Sequence, residues 1–185
     1  MKHIAIIVLV LLGSAFGQKA QRHLTLAPLD FRGYFPSMTM DQAQQNYQDR
    51  NAKRLYPADW ADLGCPEDKS RARECHGMPE AMQARFLDGK LVSASWLLSH
   101  RAYPEFRDGL LKKYGAPTSH KIWRYQNGMG ASFVGERFQW RRGSIVLVLD
   151  EYAASLDDCW IEIRNDPLSA AWSRIATAES KLPDL

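Results

Sequence analysis

The first apolar stretch, Ile4 to Leu12, is unbroken, follows Lys2 and His3, and gives way to Gly13, Ser14, Ala15, Phe16 and Gly17. A charged start, a short apolar run and small residues before Gln18 are the pattern of a cleavable secretory leader, and the run is too short to span a bilayer. The mature chain is therefore expected to be Gln18 to Leu185, one exported domain with no membrane span, periplasmic or secreted in a bacterium. Beyond the leader the pattern becomes periodic. Leu24 to Tyr34 alternates loosely around Pro28, so Leu29 to Phe31 reads as a short edge strand that could support pairing between chains. Thr39 caps a helix reaching Gln48 or Asp49, with Met40, Ala43 and Tyr47 on one apolar stripe and a glutamine-rich face left to water.

Residues 51–79 lose periodicity and carry much charge, which reads as a long surface excursion. From Ala81 the alternation sharpens: Met82, Ala84 and Phe86 interleave with Gln83 and Arg85, Asp88-Gly89 is a hairpin turn, and Leu91 to Leu98 returns. Pro104 opens a helix to Tyr114 with Phe106, Leu110, Leu111 and Tyr114 as its stripe, and Gly115 and Pro117 stop it. An antiparallel meander follows, with strands at His120 to Gln126, Phe133 to Arg142, Ile145 to Asp150 and Cys159 to Arg164. Asp166 and Pro167 then start a last helix on which Leu168, Ala171, Trp172 and Ile175 recur. These elements predict an α+β fold: one mostly antiparallel sheet of five to seven strands with two or three helices packed on one face.

Composition changes the picture at the cysteines. The 185 residues hold three, Cys65, Cys75 and Cys159. In an oxidising compartment one intramolecular pair is expected, and Cys65 with Cys75, close in sequence and flanked by Gly64, Pro66 and Gly77, is the pair the spacing favours. Cys159 then remains as a buried, inert thiol. Zinc on Cys65, Cys75 and His76 would lack a fourth ligand, so no metal or cofactor is expected.

Charge is uneven. Lys112 to Arg142 carries seven Lys or Arg against one acid, whereas Asp150 to Leu185 carries eight acids against three bases. If the two strands in the basic stretch pair, alternation places Arg124, Arg137 and Arg141 on one face with Trp123, Phe138 and Trp140 behind them. Such a guanidinium patch suits carboxylate or phosphate, so the partner is expected to be an anionic protein or envelope polymer. Nucleic acid would need rings beside the cations rather than behind them. Tyr56 and Trp60 are the candidate contacts within the excursion. His100 and His120 bracket the Pro104 helix and could approach at one sheet end as a metal or pH-sensing pair, though isolated surface histidines are the commoner case. No Gly-x-Ser-x-Gly elbow or phosphate-cradling loop is present.

Two phrases carry a resemblance. Phe31-Arg32-Gly33 through Met38-Thr39 resembles the G-x-x-x-G-M-T entry of small bacterial envelope proteins of the SmpA/OmlA type, with Ser37 where that pattern has glycine. Lys113 to Thr118, followed by Gln126 to Gly130, is similar to the K-Y-G-x-P-T helix stop of small exported proteobacterial proteins of unassigned activity. The resemblance implies a non-catalytic α+β scaffold. The expected function is thus an exported, non-enzymatic binding or assembly protein. The alternatives are a periplasmic inhibitor or immunity protein acting from the 51–79 excursion, and a small hydrolase with an unrecognised site.

Overall fold

The computed structural model describes residues 28–52, 62–66, 70–78, 81–126, 130–153 and 155–180. The expected leader, Tyr56 and Trp60 lie outside them. Strands β1 (Asp62–Gly64), β2 (Ala72–Met78), β3 (Met82–Leu87) and β4 (Lys90–Ser99) form one antiparallel meander, and β5 (Ser119–Gln126), β6 (Ser132–Arg142), β7 (Ile145–Asp150) and β8 (Asp158–Asn165) form a second. The last strands of the two meanders pair with each other, which makes a single eight-stranded antiparallel sheet in the order β1-β2-β3-β4-β8-β7-β6-β5. This exceeds the expected five to seven strands, because the presumed loop excursion 51–79 contains β1 and β2. The sequence conceals them: β2, ARECHGM, offers its covered face only Arg73, Cys75 and Gly77, with no run of branched apolar residues to mark a strand.

Register explains the core. Ala94 and Trp96 of β4 face Ile163 and Ile161 of β8, which in turn face Leu147 and Leu149 of β7, and all six are fully buried. Helix α1 (Met40–Ala52), helix α2 (Tyr103–Tyr114) and the segment 28–38 cover this face. Phe31 and Tyr34 present ring edges to Trp96 at centroid distances of 4.9 and 5.3 Å. Leu29 to Phe31 is consequently not an edge strand. Phe31 makes one isolated bridge to Tyr34, and the segment buries its side chains in the core instead of extending the sheet.

Helix α3 (Asp166–Glu179) lies on the opposite face, so two of the three helices share one side and the last does not. Arg85 alternates with the buried Ala84 and Phe86, and the Trp172 ring stacks on its guanidinium at 4.8 Å while Trp172 Nε1 donates to the Arg73 carbonyl at 3.2 Å. The side chains of Ser93 and Ser95 on that face of β4 are small and buried, which lets a helix lie close.

Local signals hold the ends. Thr39 and Gln42 form a reciprocal capping box: Gln42 N–H donates to Thr39 Oγ1 at 3.2 Å and Thr39 N–H to Gln42 Oε1 at 2.9 Å. The polar face of α1 is less wet than its composition suggests, since Gln44 Oε1 accepts from Leu63 N–H at 3.0 Å and thereby fastens β1 to the helix. Asp88 and Gly89 have φ of 49° and 73°, the two left-handed residues that a tight hairpin turn requires. Ser37, at φ 83°, occupies a conformation that glycine adopts more readily.

Gly77 is required by contact. A Cβ there would come within 2.5 Å of Tyr47 Cε2 and 2.7 Å of Tyr47 Cζ, and that ring is itself buried between α1 and β2. Gly77→Ala is expected to cost about 1–3 kcal/mol by overpacking. A urea midpoint unchanged by the substitution would show that the ring has room to retreat.

Candidate functional site

The basic stretch folds into the β5–β6 hairpin, and its register decides which cations meet. Lys121 faces Arg137, Trp123 faces Gly135 and Arg124 faces Val134. Arg137 and Arg141 share the face on which Lys121 and Trp123 lie, and Arg124 lies on the other. The expected three-arginine face is therefore corrected on two counts: Arg124 is not part of it, and Trp123 belongs to it, with the Arg137 guanidinium stacked over the indole at 4.8 Å. Alternation within each strand is as expected; the pairing between strands is displaced, which moves a whole side-chain set to the opposite face.

Arg137 and Arg141 are also already engaged. Arg137 grips Asp150 of β7 through Nε and NH2, the latter at 2.7 Å, and Arg141 NH2 donates to Asp166 Oδ2 at 2.5 Å. Asp166 accepts a second guanidinium from Arg164 at 2.8 Å, and Arg164 reaches Glu162 at 2.5 Å. Burial disfavours the Asp166 anion, yet the hydrogen bonds from Arg141 and Arg164 outweigh it and hold the carboxyl below the ordinary carboxylate range. Val146 and Val148 are buried within this network, flanked in register by Arg141, Arg164, Gln139 and Glu162. Long charged side chains can cover apolar surface in this way, which accounts for the unbroken Ile-Val-Leu-Val-Leu run of β7. The acids of the last third thus neutralise two arginines of the basic stretch.

Two exposed cations of the hairpin are left over, while Arg142, half-buried, lies over the Tyr114 ring. Lys121 and Arg124 are exposed, and neither side chain makes an ion pair or hydrogen bond among the described residues. Between them Ile122 is 63% exposed, and Val134, opposite Arg124, is 53% exposed. Among the described residues the strand that carries Lys121, Ile122 and Arg124 pairs with β6 alone and forms one margin of the sheet. An open sheet margin, which the sequence placed at Leu29 to Phe31, is found at β5. Sequence alternation singled out Arg124; Lys121 and Ile122 were missed, because only the sheet order shows that β5 is terminal.

At the end of the sheet, His100 and His120 each meet a carboxylate. His100 Nε2 is 3.4 Å from Glu151 Oε1 and His120 Nε2 is 2.7 Å from Glu136 Oε2, while Glu136 N–H donates to Glu151 Oε2 at 3.0 Å. They approach as two separate pairs, and among the described residues no group of three side chains suited to a metal ion converges. The buried Tyr103 hydroxyl nearby stays a neutral phenol, since burial first, and then Glu136 and Glu151, oppose its ionisation.

Cysteine chemistry follows the expected pairing. Cys65 and Cys75 are joined by a disulfide with S–S 2.07 Å, and Cys159 is a free, buried thiol donating to the Ser99 carbonyl at 3.6 Å. Burial, helped by Asp158, pushes the Cys159 thiol up to about 11. At pH 8 about one thiol in a thousand is then ionised, so iodoacetamide is expected to leave the folded protein unlabelled and to modify one cysteine after urea unfolding. Rapid native labelling would contradict this placement.

The arrangement defines an antiparallel α+β sheet protein with a margin strand bearing two unneutralised cations. No family model matches the chain, no curated protein matches it, and no solved structure matches it.

Proposed function

We propose that this chain is an exported, non-enzymatic binding protein of the bacterial envelope that holds an acidic partner at the β5–β6 hairpin. The observation that carries this reading is the contrast among its cations: Arg137 and Arg141 have acids of their own, whereas among the described residues Lys121 and Arg124 stand exposed and unpaired around Ile122 on a terminal strand. Unpaired surface cations attract an acidic ligand without first having to give up an internal partner. The internal disulfide and the leader pattern support placement in an oxidising compartment.

The test measures the mature chain, Gln18 onward, against fluorescein-labelled poly-glutamate by anisotropy across a salt series. Binding is expected to weaken steeply between about 50 and 200 mM salt as the Debye length shortens and screens the exposed charges. The double variant K121E/R124E is expected to lose it by about tenfold or more, equivalent to about 1.4 kcal/mol. R137A is expected to change it little, since that guanidinium already serves Asp150. Binding that survives charge reversal at 121 and 124 would overturn the reading.

A further inference from the structure

We propose that the acidic partner binds as an added β-strand, lying antiparallel along the outer edge of β5 and presenting an acid-x-apolar-acid sequence to Arg124, Trp123, Ile122 and Lys121. The inference rests on the function proposed above and specifies the form of the ligand.

Three observations converge on it. The first is the edge itself. β5 runs for eight residues and pairs on one side only, so its other side carries backbone N–H and C=O groups with no strand partner among the described residues. The opposite margin, β1, is only three residues long. Long margins with free backbone groups are the surface on which extended peptides are captured.

The second observation is the order of side chains along that edge. Alternation puts Ile122 and Arg124 on one face and Lys121 and Trp123 on the other. A strand laid beside β5 meets a cation on each face, with an exposed apolar side chain between them in sequence. Directly opposite residues interact across an antiparallel pair, and opposite charges there stabilise while like charges destabilise. Acids opposite Arg124 and Lys121, and a branched apolar residue opposite Ile122, are the complement.

The third observation excludes a second copy of this chain as the best occupant. Two β5 strands side by side would gather four unneutralised cations, Lys121 and Arg124 from each copy, along one seam next to Arg137. The same charges that attract an acidic strand disfavour self-pairing.

The experiment uses the mature chain and a short fluorescein-labelled peptide in which Glu-Thr-Val-Glu is flanked by threonines. Two further copies of the peptide are N-methylated on alternating residues, one on the odd and one on the even positions. In an added strand successive N–H groups point alternately toward and away from β5, so one methylated copy should bind as the parent does and the other should bind at least tenfold more weakly. K121E/R124E should reduce parent binding by about tenfold. Both substituted side chains are exposed and unpaired among the described residues, so folding is expected to be unaffected, which circular dichroism checks. If both methylated copies bind like the parent, or both fail, strand addition is overturned while acidic-partner binding stands. If poly-glutamate binds and the parent peptide does not, strand addition again fails. If neither poly-glutamate nor the peptide binds, the function proposed above falls with it.

Discussion

Trp96→Ala is expected to destabilise the protein by about 3–5 kcal/mol, the range for removing a large buried ring and leaving a cavity. Trp96 is fully buried at the centre of β4, opposite Met82 of β3 and Ile161 of β8, under the edges of Phe31 and Tyr34. Its removal takes a contact from both halves of the sheet and from the 28–38 segment together. Backbone pairing on both sides of β4 holds the strand in place, so collapse into the vacancy is limited. At about 2–4 °C per kcal/mol for a chain of this size, the melting midpoint should fall by about 10 °C. Trp96→Phe, which keeps a ring between Phe31 and Tyr34, should recover a large part of the loss. Calorimetry on the three proteins decides it, and a loss under about 1 kcal/mol for the alanine variant would mean that the ring is not a keystone of this core.

The second large effect concerns the sulfur bridge. Cys65 and Cys75 are ten residues apart in sequence, and a loop of that size contributes about 2.5–3 kcal/mol when closure entropy alone is considered. The two cysteines are not equivalent as sites of substitution. Cys75 is fully buried in the core, whereas Cys65 is only partly buried. Cys75→Ser therefore loses the cross-link and also leaves a hydroxyl in the core, an added penalty of about 1–3 kcal/mol if the hydroxyl finds no partner. Urea midpoints should rank wild type above Cys65→Ser and Cys65→Ser above Cys75→Ser, and dithiothreitol should lower the wild type to near Cys65→Ser. Identical midpoints with and without reductant would show that the bridge contributes no stability.

Legibility in the sequence followed the range of the determining forces. The turn at Asp88-Gly89, the cap at Thr39, and the stop at Gly115 are set by residues within a few positions of one another, and all three were readable; the reciprocal bond from Thr39 N–H to Gln42 was not read. β1 and β2 were not, although the Cys65–Cys75 bridge was, because what makes Ala72–Met78 a strand is the flat side of Gly77 under Tyr47 and pairing with β3. The candidate site divides in the same way. Period-two alternation gave the facing of each arginine within its own strand. Which strands' faces coincide depends on the connection from Gln126 to Ser132, where a difference of one position carries Arg124 across the sheet. The acids that neutralise Arg137 and Arg141 lie on β7 and α3, and only the folded register brings them there.

The union of the two meanders bears on how such a molecule matures. During vectorial synthesis the strand ending at Ser99 emerges well before Cys159 and Ile161, which must zip onto it. Until they arrive, the half-made layer has an adhesive apolar rim around Trp96, a hazard typical of topologies with distant pairing. A holding chaperone stationed at the exit would have its greatest value in that interval, and truncation just after Asp150 should yield aggregates rather than a smaller soluble product.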